Sequence, residues 1–210
     1  MAKPSPLHNL VARNMANVLD SQIPSGWATA TDFDLKMPSG DCRSPDFAIV
    51  REEAATAKRP LRLDEVLLVG EVVSPSWNSI HKDIYQYPRL FLEAGLVHYW
   101  HIHLDPVFAI YAHRLGRSQV RHHTPISLDV LNRNPGRFIF DPQEPFPFQI
   151  DLAQLIHSRA SLLRAMSNIP AHDPEADYPA AEVTVKVDRV DGILVPLARP
   201  GALVSRPLAQ

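Results

Sequence analysis

Leu7, Leu10, Val11, Met15, Val18 and Leu19 recur every three or four residues, which predicts a helix from Pro6 that ends near Pro24. Trp27 to Leu35 alternates apolar and polar, the period of a strand. Pro38-Ser39-Gly40-Asp41 supplies a turn, and Pro45 to Arg51 predicts a second strand in a hairpin with the first. Glu52 to Leu63 is charged and alanine-containing, and reads as a loop or short helix. Glu65 to Val73 is almost continuously apolar, as in a central strand buried on both faces.

Beyond the Ser74-Pro75-Ser76 stop, Ile80 to Ala94 is helical in pattern, with Gly95 as its C-terminal cap. Val97 to Leu104 and Val107 to His113 predict strands turned by Asp105-Pro106, with a further strand near Phe138 to Phe140. Phe146 to Ile150 leads into a last helix, Leu152 to Leu163. The order predicts an α/β (α+β) domain with a central mixed sheet flanked by helices. After about Ser167 prolines punctuate an aperiodic stretch, so the chain divides into a domain over 1–165 and a largely unordered tail over 166–210. Within that tail Val183 to Val187 could pair as an edge strand.

Composition narrows the class. With 210 residues, 45% of them hydrophobic, the chain can bury a sizeable core. No apolar run approaches the ~20 residues that cross a bilayer, and Met1 to Asn9 lacks a hydrophobic signal core. The single cysteine, Cys42, rules out an intrachain disulfide and fits a reducing interior. These features predict a cytoplasmic protein. The net charge of −2 gives no basic surplus, so contact with nucleic acid would need a local patch. Arg114, Arg117, Arg121, His122 and His123 form the densest basic stretch, read as a solvated hairpin.

Two acidic residues break the apolar strands. Asp46 stands at the start of Phe47-Ala48-Ile49-Val50, and Glu71 lies inside Val69-Gly70-Glu71-Val72-Val73. Carboxylates in such places are costly unless something positive binds them. Delivered by neighbouring strands, the pair can hold a hard divalent cation such as magnesium. Each has a plainer reading: Asp46 bonding turn amides, Glu71 ion-paired with Arg43 or Arg89. His101-Ile102-His103-Leu104-Asp105 has the look of a zinc motif, but Pro106 stands where a further histidine is needed. A half-exposed sheet face, with Trp100, Ile102 and Leu104 turned inward, is the reading preferred here. Trp27, Trp77 and Trp100 read as core or interface aromatics, and Ser74 and Ser76 as helix caps.

Taken in order, several pieces resemble the Uma-two family of restriction-endonuclease-like proteins in the PD-(D/E)XK nuclease superfamily. They are Ser5-Pro6-Leu7-His8, Ser44 to Val50, Leu68 to Pro75, Asp83, Glu93 to Trp100, and Pro145 to Asp151. The resemblance covers roughly Pro6 to Leu155. It implies metal-dependent endonucleolytic hydrolysis of nucleic acid, most often DNA, with magnesium or manganese as cofactor. Asp46, Glu71 and the carbonyl of Val72 would be the metal ligands. Asp83 would support the site electrostatically, and such nucleases often pair subunits as homodimers.

The chain departs from the pattern at its cation. The position two residues after the glutamate, where the simplest motif has lysine, is Val73. In relatives the lysine has usually moved to the helix, one turn past the aspartate that matches Asp83; here that residue is Tyr87. A phenol is neutral at pH 7 and cannot replace an ammonium. Lys82 is the replacement to consider, with Tyr87 contacting substrate or water. Five helical positions set the two far apart, unless Pro88 breaks the helix and turns Lys82 or His81 inward. His8 matches a family histidine, read as packing in preference to a site role. The missing lysine also allows a catalytically silent module that binds nucleic acid or a protein.

Overall fold

The computed structural model describes residues 4–74, 81–116, 120–122, 125–157, 187–190 and 193–196. Helix α1 (Pro6–Asp20) starts where Ser5 Oγ accepts the His8 N–H, with Pro6 in the first turn, where its missing N–H costs nothing. Its sheet-facing stripe is His8, Val11, Ala12, Met15, Ala16 and Leu19, all buried. The strands in chain order are β1 (Trp27–Ala30), β2 (Leu35–Lys36), β3 (Cys42–Arg43), β4 (Phe47–Arg51) and β5 (Leu61–Arg62). Next come β6 (Val66–Val73), β7 (His98–His103), β8 (Ala109–Arg114) and β9 (Val120–His122). The short strands β10 (Ile139–Phe140) and β11 (Ile150–Asp151) pair with each other, as do β12 (Val187–Val190) and β13 (Ile193–Pro196).

The main sheet runs β1-β4-β6-β7-β8-β9. Only β6 and β7 are parallel among its described neighbours, and the crossover between them carries a π-helical turn over Lys82–Gln86 followed by α2 (Tyr87–Glu93). A mixed sheet flanked by helices is thus the observed architecture. Helices α3 (Leu128–Arg133) and α4 (Leu152–Ile156) complete it. Because side chains alternate along a strand, Phe47, Ile49, Leu68, Val72, Trp100 and Ile102 face one way, in a core shared with α1 and α4. Ala48, Val50, Val69 and Tyr99 face the other, against Phe91 of α2. Gly70 allows the two central strands their approach: a Cβ there would fall within 3.0 Å of the Phe47 ring.

Two expectations change. The strand expected over Trp27 to Leu35 divides, since Asp32 takes a left-handed φ of 54° and sends β2 into a separate small sheet with β3 and β5. Of the pairing expected of Val183 to Val187, Val187 does pair, opposite Pro196, and 183–186 lie outside the described residues. His101 does not lie on a half-exposed face: β7 sits between β6 and β8, both its faces are covered, and His101 is buried. Its ring stacks between Tyr111 and His113, and His101 Nδ1 lies 2.9 Å from His103 Nε2. Trp100 packs edge-on to Phe140 and Phe148 in the core, as expected. Trp77, Ser76, the last turns of the helix expected to reach Leu163, and the tail's order over 166–186 and 197–210 lie outside the described residues.

Candidate active site

The register of the two central strands brings the acidic residues together. Phe47 pairs with Gly70 in the β4–β6 ladder, so the next step places Asp46 opposite Glu71. The ladder ends there, and the Asp46 side chain takes over from backbone: its Oδ2 accepts the Val72 N–H at 2.7 Å. Its Oδ1 lies 3.0 Å from Nε2 of His8, on the first turn of α1. Ser74 Oγ stands 3.5 Å from the other ring nitrogen, Nδ1. One carboxylate is therefore fixed by a strand amide and a helix imidazole together.

The crossover helix supplies the rest through an irregular turn. Over Lys82–Gln86 the backbone is π-helical, and the Tyr87 N–H bonds the Lys82 carbonyl, five residues back. Pro88 has no N–H to give to Asp83, so the Asp83 carbonyl is left open. Tyr99, reaching up from β7, donates its O–H to that carbonyl at 2.6 Å. The wider π turn also rotates Lys82 towards Tyr87. Its Nζ stands 4.9 Å from the centre of the Tyr87 ring, a cation–π arrangement. The break that Pro88 implies in the sequence takes this form.

Electrostatics here are dominated by burial of acid. Glu71 and Asp83 are each less than a tenth exposed. Burial, then the charges of Asp46 and Asp83, push the Glu71 carboxyl well above the ordinary range, and Lys82 opposes this least strongly of the causes. Asp83 is pushed up to about 7, first by burial, with Lys82 pulling it down and Asp46 adding to the rise. A hydrogen bond to Tyr87 is the first cause raising Lys82, which stays an ammonium. Three carboxyls and one lysine thus act on one another's charge.

Asp46, Glu71, Val72, Lys82, Asp83 and Tyr87 all meet in this one region, drawn from two strands and the crossover helix. His8, expected to pack, turns its ring to Asp46. Tyr99, which lies within the Glu93 to Trp100 piece, has no role in the sequence reading; a hydroxyl in a buried strand between two histidines was its only sequence signal. Of the ion pairs considered for Glu71, Arg43 instead lies 3.8 Å from Asp41. Arg114, in the basic stretch, pairs with Glu144.

The donor set fits a hard divalent cation. Asp46 uses one lone pair on each oxygen and a carboxylate offers about four. A cation beside Glu71 would relieve the repulsion that now favours its protonated form. Among the described residues no three histidine, cysteine or acidic side chains make a ready-formed metal cage. The candidate set is accordingly two carboxylates completed by the backbone oxygen of Val72.

A family model, Uma2, described as "Putative restriction endonuclease", matches residues 1–132. A solved structure described as "a putative nuclease belonging to DUF820 from Anabaena variabilis" is similar at 14% identity and a TM-score of 0.48, over 77% of this chain and 84% of that one. Among curated proteins none matches. With the family model spanning more than half of its 210 residues, the chain belongs to the Uma2 family of restriction-endonuclease-like proteins.

Proposed function

We propose that this protein is a divalent-metal-dependent endonuclease that hydrolyses phosphodiester bonds in DNA. The observation that carries the reading is the burial of Glu71 beside Asp46 and Asp83, an arrangement costly for folding alone. Asp46, Glu71 and the Val72 carbonyl would hold magnesium or manganese. When bound, the ion offsets phosphate charge and lowers the pKa of a water. The chain's own groups do the remainder. Lys82 presents an ammonium to the charge that develops on phosphorus-bound oxygen. Tyr87, whose ring centre lies 4.9 Å from the Lys82 Nζ, fixes that ammonium and offers its hydroxyl to substrate or water. Asp83 balances Lys82 from behind and tunes the field at Glu71.

Incubation of the purified chain with single- and double-stranded DNA, with and without manganese, tests the reading. Metal-dependent cleavage that is lost in Asp46→Ala and in Glu71→Ala is expected; cleavage retained by both variants would refute the site. Tyr87 in the place of the usual lysine favours one other reading, a silent module that binds nucleic acid or protein. That module would leave DNA uncut under any metal, and would shift it in a gel only if nucleic acid is what it binds. A cytoplasmic location and a homodimer able to cut both strands complete the proposal.

A further inference from the structure

An imidazole in the apolar stripe of α1 is a poor choice for packing, because both ring nitrogens lose water on burial. His8 is 6% exposed, and both nitrogens face partners. A carboxylate oxygen only accepts, so Nε2 carries the proton and donates it to Asp46 Oδ1 at 3.0 Å. Nδ1 is left facing the Ser74 hydroxyl at 3.5 Å. Asp46 Oδ2 in turn accepts the Val72 N–H at 2.7 Å. Val72 and Ser74 lie two residues apart at the end of β6, so the chain Val72–Asp46–His8–Ser74 closes on itself. It straps the first turn of α1 to the ends of β4 and β6.

We propose that His8 is a positioning residue that locks the Asp46 carboxylate against the Val72 amide, with Ser74 orienting the ring. Held by a single hydrogen bond, a carboxylate at a strand end rotates about its side-chain bonds. Held at both oxygens by groups on different elements, it has one orientation. Ser5 and Pro6 contribute indirectly, since the helix start they fix sets which residue of α1 reaches Asp46. The consequence for metal affinity rests on the reading of Asp46 as a ligand. The locking itself does not, and it is measurable without metal.

The experiment uses the full chain with two substitutions of opposite character. His8→Leu keeps apolar volume and removes the donor; His8→Gln places an amide N–H where Nε2 was. The first readout is hydrogen exchange at the Val72 amide in metal-free protein, with the Leu68 and Val69 amides of the same strand as controls. Exchange on the order of tenfold faster in His8→Leu, restored in His8→Gln, is expected, with the controls unmoved. The second readout is manganese affinity by calorimetry, expected to fall tenfold or more in His8→Leu and to recover in His8→Gln.

Unchanged Val72 exchange in His8→Leu would overturn the proposal and make His8 a packing residue. So would His8→Gln behaving as His8→Leu does, since the donor would then not matter. If Val72 exchange responds as expected while the wild type binds no manganese, the locking stands and the metal reading fails. The two claims therefore fail separately.

Discussion

Substituting Gly70 tests whether the packing that aligns the carboxylates is as tight as described. A methyl there lies within 3.0 Å of the Phe47 ring, against the ~3.5 Å at which carbon atoms make favourable contact. Phe47 is fully buried in the core that holds α1 and cannot swing out. Gly70→Ala is expected to cost about 3 kcal/mol, the upper end of the range for overpacking. Phe47→Leu deletes the outer ring atoms, which crowd the site, and costs about 2 kcal/mol at roughly 0.8 per carbon. With the ring gone the added methyl has room, and alanine is about 0.5–1 kcal/mol better than glycine in a strand. The double variant should then lose only about 1–2 kcal/mol, where additivity demands about 5. Urea unfolding of the four proteins at pH 7 measures the cycle. Additivity within ~0.5 kcal/mol, or a Gly70→Ala cost below ~1 kcal/mol, would refute the geometry on which the placement of Asp46 opposite Glu71 depends.

Asp83→Asn should stabilise the metal-free protein in a pH-dependent way. The folded pKa of about 7 lies above the ordinary 3.8, so the folded state keeps a proton that the unfolded chain has released. Stability is therefore lost as pH rises from about 4 to about 7 and stays lost above that. The variant should gain on the order of 4 kcal/mol at pH 8 and almost nothing at pH 4; thermal melts showing a constant difference would contradict this. Lys82→Ala should reduce cleavage at least tenfold with little change in manganese affinity, since the ammonium meets charge on the substrate. Tyr87→Lys should raise the rate if the wild type is limited by its missing lysine; an unaltered rate in both variants would show that neither position supplies the cation.

Periodicity carried the architecture well wherever one face of an element is buried. The α1 stripe and the central strand around Gly70-Glu71 were legible because burial writes itself as spacing. Asp32 was not legible as a strand breaker, since a left-handed aspartate leaves no apolar signature. His101 departs for a related reason: its polarity suggests an exposed face, but the rings of Tyr111 and His113 on the neighbouring strand stack against it and it is fully buried. Within the site, Asp46 and Glu71 stood out because acid in an apolar strand is anomalous. The relation of Lys82 to Tyr87 could not be read from a 100° helical wheel, because the π turn that joins them arises from Pro88 and the Tyr99 hydroxyl together. The regular apolar stripe around His8 favours packing over a site role in the sequence, and its contact with Asp46 is seen only in the tertiary structure.

The central claim is that Asp46 and Glu71 exist to bind a divalent cation. Calorimetric titration of manganese into the wild type and into Glu71→Gln tests it most directly, with a thermal melt of each protein alongside. The account predicts binding by the wild type only, and a variant that melts higher in metal-free buffer because glutamine, unlike the buried acid, takes up no proton on folding at neutral pH. Equal affinity in both proteins, or a variant that melts lower without metal, would contradict it.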